Sequence, residues 1–131
     1  MTDAPGLALL DDEPFVSLTT FRRSGEPVAT TVWIVRDGDA LYVTTGETTG
    51  KVRRLRRDPR VTMRPCTRMG RVAEDAPSVP AVAEVVTDPE VTGRVMSAFR
   101  TKYRTQFRLA MALERFRKKG GGRVLLRITS G

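Results

Sequence analysis

The sequence contains no histidine and only one cysteine, Cys66. The first absence removes the commonest general base, the Ser-His-Asp and Cys-His arrangements, and the usual zinc and haem ligands. The second excludes internal disulfides and any zinc or iron–sulfur site built on cysteine. With no base to activate it, Cys66 reads as a small, buried or half-buried residue rather than a nucleophile. Aromatics make up 6% of the chain and no interleaved basic–aromatic motif occurs, so nucleic acid is not the expected partner. No apolar run approaches the roughly 18 residues of a membrane span. Met1 to Pro5 lacks a basic region followed by an apolar stretch, so no signal peptide and a cytoplasmic location are expected. Chemistry in such a chain must rest on a bound cofactor, with no metal site.

What is present is a chain of 131 residues, 40% hydrophobic, enough to bury a core. One domain is expected over 1–131, with a leader at 1–13 and a helical segment at 88–119. The formal net charge is +8, and the cations cluster. Lys51 to Arg71 holds nine Lys/Arg against Asp58 alone, and Arg94 to Arg127 holds eleven against Glu114 alone. Such clusters suit a polyanionic partner, whether nucleic acid, membrane surface or small molecule.

The densest cluster has a definite form. Thr44-Thr45-Gly46-Glu47-Thr48-Thr49-Gly50-Lys51-Val52-Arg53-Arg54-Leu55-Arg56-Arg57 reads as a strand end, a Thr/Gly turn and a short basic helix. Thr48 or Thr49 can cap the helix, and Gly50 lets a ligand approach the backbone. Val52 and Leu55 are spaced to face a core, while Lys51 and Arg54 share another side. Hydroxyls, free N–H groups and positive charge then converge, and a phosphate is the natural occupant.

Around this anchor the pattern alternates as strands do. Expected strands run over 15–22, 28–36, 40–45, 60–66, 78–87 and 123–129. In the second, Val28, Thr30, Val32 and Ile34 share one face; Ala29, Thr31, Trp33 and Val35 share the other. Both faces are apolar or small, which suits a barrel wall that also meets a partner or ligand. Pro80 marks an edge or a bulge. Asp88-Pro89-Glu90 starts a helix whose stripe is Val91, Val95, Phe99 and Tyr103. A second piece carries Leu109, Leu113 and Phe116, expected to face the core, and ends at Lys118-Lys119-Gly120. The predicted fold is mainly β with peripheral helices, a six-stranded antiparallel barrel.

Phe15 to Trp33, Leu41-Tyr42-Val43, Gly50 to Leu55, Asp58 to Val61 and Pro65-Cys66 together resemble the flavin and deazaflavin oxidoreductases of the pyridoxamine 5′-phosphate oxidase-like split β-barrel. The nearest branch is similar to the small actinobacterial proteins that use the deazaflavin coenzyme F420. The likeness runs from about Phe15 to Ile128 and implies a homodimer with cofactor sites between subunits. It implies that Lys51 binds the cofactor phosphate, with Thr45, Thr49, Gly50 and Arg54 around it. Thr30, Thr31 and Val32 would lie against the ring, with Met63 and Pro65 on the neighbouring strand. F420 carries a phosphate and a carboxylate-rich tail, which a wide basic rim suits better than it suits FMN. The implied activity is hydride transfer to an unsaturated or conjugated small molecule. No catalytic residue is singled out; water, Tyr42, Tyr103 or an arginine could supply a proton. The alternatives are FMN or haem on the same fold, cofactor storage without turnover, or a basic nucleic-acid binder.

Overall fold

The computed structural model describes residues 4–116 and 122–130, and the side chains of 6–113 and 122–130. The Lys118-Lys119-Gly120 helix end expected from the sequence lies outside these residues. The elements are α1 (Ala4–Ala8), β1 (Val16–Phe21), β2 (Pro27–Val32), β3 (Val35–Asp37), β4 (Ala40–Gly46), α2 (Gly50–Arg57), β5 (Arg60–Pro65), β6 (Val79–Val86), α3 (Pro89–Phe116) and β7 (Arg123–Thr129). Seven strands form one antiparallel sheet in the order β2-β1-β5-β6-β7-β4-β3.

The expected six strands are thus seven, because the run from Val28 to Arg36 divides. Its first part pairs with β1 at one edge of the sheet and its second with β4 at the other edge. Only Trp33 and Ile34 separate the two, and three residue steps span at most about 11 Å. The sheet must therefore curl until its edges almost meet. Side-chain alternation survives the break: Val32 and Ile34 join the barrel interior, while Trp33 and Val35 join the cluster beneath α3. What is lost at the seam is the ladder, and α3 replaces it. The Tyr103 hydroxyl accepts from the Ile34 N–H at 3.1 Å and lies 2.9 Å from the Pro14 carbonyl and 3.1 Å from the Ile34 carbonyl. Lys102 Nζ donates to the carbonyls of Asp11, Glu13 and Ile34 at 3.3, 2.9 and 2.8 Å. Two side chains thus satisfy backbone groups that no strand reaches.

The interior holds Val16, Leu18, Leu41, Val43, Met63, Leu126 and Ile128, all fully buried. Leu7 and Leu10 of the N-terminal turn enter it near Val79, and Leu55 enters it from α2. The N-terminal segment meets the Val16 end of β1 and α2 meets the Phe21 end, so the two plug opposite ends of the barrel. Pro80 sits where β6 pairs only with β5, since β7 begins its pairing at Val82. Its missing N–H therefore interrupts no ladder bond.

The helical stripe Val91, Val95, Phe99 and Tyr103 packs over β3, β4 and β7 as expected. Of the second stripe, Leu109 and Leu113 do not, and the Phe116 side chain lies outside the described residues. Leu109 and Leu113 are 61% and 60% exposed, and Phe107 and Met111 face the core instead. The cause is Arg104, whose φ of 43° and ψ of −112° break the helix and reset its rotation. The sequence separates a second helical piece, but the phase in which it resumes after such a break is not readable from a 3.6-residue period. Among the described residues no helix is long and apolar enough to cross a membrane.

Candidate functional site

α2 is fastened to the barrel by its own arginines. Arg54 Nε donates to Thr20 Oγ1 at 2.7 Å, and Arg57 donates to the Phe21 carbonyl at 2.8 Å. Val52 and Leu55 of the same helix are buried, Leu55 in the barrel core. The Arg54 guanidinium folds back over Gly50, where a Cβ would stand 2.8 Å from its Nη1. Gly50 therefore makes room for a cation at the first turn. Thr49 occupies the cap position, but its hydroxyl donates to the Gly46 carbonyl at 3.0 Å and stands 3.4 Å from Thr45 Oγ1. Thr49 makes no side-chain cap bond to α2, and no other side chain caps it among the described residues. Its first-turn amides, carrying the positive end of the helix dipole, keep an unmet demand for an acceptor.

Charge gathers at the same end. Lys51 is half-buried, and its pKa is lowered first by burial and then by Arg54 and Arg123. Arg54 is lowered by burial and then by Arg22, Arg53 and Arg57. Arg123 begins β7 opposite Gly46 and reaches back to Thr44, its Nε donating to Oγ1 at 3.0 Å. Neither Lys51 nor Arg54 has a carboxylate within ion-pair distance among the described residues. Three cations and an uncapped helix start thus share one place, and their repulsion is what a bound anion would relieve. Lys51, Thr45, Thr49, Gly50 and Arg54 are brought together here. Thr20 and Arg123 escaped the sequence reading, because they join only through the β1–α2 contact and the β4–β7 register.

The other sequence-predicted residues divide by face. Val28, Thr30 and Val32 pair with Thr20, Leu18 and Val16, so their side chains point into the barrel. Met63 and Pro65 pair with Leu18 and Val16 and point inward too, Met63 fully buried in the core. Of the predicted ring contacts, only Thr31 presents its side chain on the outer face, beside exposed Pro27 and Ala29. β2 is an edge strand running away from α2; at about 3.3 Å per residue, Val32 stands about 13 Å beyond Val28. The Thr30 hydroxyl is buried with no hydrogen-bond partner among the described residues. An orphaned hydroxyl costs about 1–3 kcal/mol. Thr30→Val should therefore raise stability by about 1 kcal/mol in a urea melt, with cofactor affinity unchanged.

A profile of the pyridoxamine 5′-phosphate oxidase family matches residues 6–130. The chain belongs to that family. Its fold is shared with a conserved hypothetical protein from Mycobacterium tuberculosis (24% identity, TM-score 0.70, covering 99% of this chain and 81% of that one). It is shared also with HutZ, the haem storage protein of Vibrio cholerae (16%, 0.70, 100% and 92%), and with an F420 reductase (22%, 0.62, 94% and 91%). At these identities the likeness is one of fold. No curated protein matches the chain.

Within this family member the two tyrosines sit away from the anchor. Tyr42 is buried beneath α3 and its hydroxyl accepts from Arg127 Nε at 3.0 Å. Tyr103 closes the barrel seam, stacked on Trp33 at 4.4 Å between centroids, and burial pushes its pKa up to about 12. Both hydroxyls are committed to structure.

Proposed function

We propose that the protein is a coenzyme F420-dependent oxidoreductase acting on an unsaturated or conjugated small molecule. The observation that carries this is the meeting of Lys51, Arg54 and Arg123 at the uncapped start of α2. The residues fit the group: Lys51 and the first-turn amides would hold the phosphate, with Thr45 and Thr49 beside them and Arg54 behind. Arg53 and Arg56, exposed on α2 without ion-pair partners among the described residues, extend the positive surface toward an acidic tail. The chemistry supplied at the site would be hydride transfer by bound F420. The chain's own part is to hold the phosphate, orient the ring along the outer face of β2, and exclude water. The fold shared with an F420 reductase supports this reading.

The exposed Pro27, Ala29 and Thr31 on an edge strand favour a homodimer in which a second copy covers the ring strand. The deciding experiment is a fluorescence titration with F420 and with FMN, alongside light scattering for mass. Saturable binding of F420 in preference to FMN is expected, from a dimer. Binding of FMN alone would move the assignment to a flavin enzyme of the same family, and binding of neither would end it.

A further inference from the structure

The segment between β5 and β6 is folded back over the outer face of the sheet. The Ala76 carbonyl accepts from Arg64 Nη2 at 2.9 Å. At the other side Gly70, with φ of +88°, approaches Thr31 so closely that a Cβ would lie 2.8 Å from its hydroxyl. Thr31 also neighbours Cys66, whose thiol pKa is pushed up by burial and drawn partly back down by the Thr31 hydroxyl. The loop is therefore pinned at both ends of one cross-strand row, Thr31–Ser17–Arg64, which the register of β2, β1 and β5 places on the outer face.

The middle of that row is polar and unmet. Ser17 is only 8% exposed although it faces outward, and its hydroxyl has no hydrogen-bond partner among the described residues. Arg64 Nε is sealed from solvent and likewise has no acceptor among the described residues. Among the described residues no carboxylate lies within ion-pair distance of Arg64. The Arg64 guanidinium, with one N–H satisfied by a carbonyl and Nε left over, lies in the same cross-strand row as the Ser17 hydroxyl, and the two offer a pair of donors to an oxygen anion. This pair adjoins Thr31, the one side chain of the ring strand that faces outward among those predicted to touch the ring. It is set apart from the α2 anchor, which stands at the opposite end of β1.

The geometry points to a second anion subsite, in which Arg64 Nε and Ser17 Oγ receive the carboxylate of a conjugated carboxylic acid substrate beneath the 66–78 loop. Assigning the occupant as substrate rests on the F420 reading; the subsite itself does not. Arg64 would then set specificity by charge, and the loop would lift for entry, since Nε is closed to solvent in this state. A neutral acceptor of the same shape would leave the guanidinium uncompensated.

The test is calorimetric titration of the full chain with cinnamate and with its neutral analogue cinnamamide. Wild type is expected to prefer cinnamate by about tenfold or more, as a charge-assisted pair implies. Arg64→Gln should reduce the preference to about twofold or less while F420 affinity stays unchanged. Ser17→Ala should weaken cinnamate by about threefold and leave cinnamamide alone, and it carries the test if Arg64→Gln does not fold. A wild type without preference, a preference that survives Arg64→Gln, cinnamate binding untouched in Ser17→Ala, or a matching loss of F420 affinity in Arg64→Gln would overturn the subsite. A protein that prefers cinnamate through Arg64 yet binds no F420 would retain the subsite and sink the cofactor assignment instead.

Discussion

Lys51→Ala should weaken F420 binding by roughly thirty- to 150-fold, the equivalent of about 2–3 kcal/mol for a hydrogen-bonded charge. The size follows from the position of the lysine. Lys51 is half-buried, pressed by Arg54 and Arg123, and its pKa is lowered as a result. A phosphate arriving at the start of α2 reverses that balance, favouring the charged ammonium by contact instead of opposing it by burial. The same reasoning fixes the sign for stability. In the free protein, protonated Lys51 is disfavoured by folding, so Lys51→Ala should leave the unliganded melting temperature unchanged or slightly raised. Arg56→Ala removes an exposed cation of the same helix and should change affinity by less than about threefold. A fluorescence titration of the two variants, with a thermal melt of each, separates the outcomes. Equal losses of affinity would mean that the helix acts only as a diffuse basic surface.

Much of this arrangement is legible from residue order alone. Alternation between Val28 and Val35 identifies the two faces correctly, even across a break in pairing that it cannot reveal. The anchor is legible because its Thr/Gly turn, lysine and arginines are contiguous. Three features are not. The division into β2 and β3 depends on Lys102 and Tyr103, roughly 70 residues later, serving Ile34 in place of a strand. The inward side of Thr30, Met63 and Pro65 is set by pairing with β1, and a family likeness that places a strand near a ring does not say which face touches it. The exposure of Leu109 and Leu113 follows from one backbone angle at Arg104, a residue whose type carries no signal of it. Arg123 and Arg64 belong to the same class, since only strand register brings each to its neighbours.

The barrel seam is where the largest loss of stability is expected. Tyr103→Phe keeps the ring stacked on Trp33 and the packing against Phe99, but removes the one hydroxyl that serves the Ile34 N–H and a carbonyl of Ile34 or Pro14. Leaving the buried Ile34 N–H unpaired costs about 1–3 kcal/mol, and losing the donated bond removes about 1 kcal/mol more, so a loss of about 2–4 kcal/mol is expected. Lys102→Met keeps the aliphatic stem and leaves the Asp11 and Glu13 carbonyls without this donor, while Ile34 keeps Tyr103, at a cost of similar order, about 2–4 kcal/mol. Both side chains serve the Ile34 carbonyl, which loses its last side-chain donor only when both are changed, so the double variant should lose more than the sum. Against a total stability of about 5–15 kcal/mol, either change removes a large fraction, read directly as a shifted urea midpoint. Tyr103 also gives the seam a pH signature. Its folded pKa, near 12, lies above its ordinary value of 10, because burial disfavours the phenolate. The folded state therefore holds the proton longer than the unfolded chain. The contribution of this group is fully present below pH 10 and is lost as pH rises through about 12. Subtracting the Tyr103→Phe profile from that of wild type should isolate a fall confined to that window. A flat difference would show that the phenol is open to water and that something other than Tyr103 holds the two edges of the sheet together.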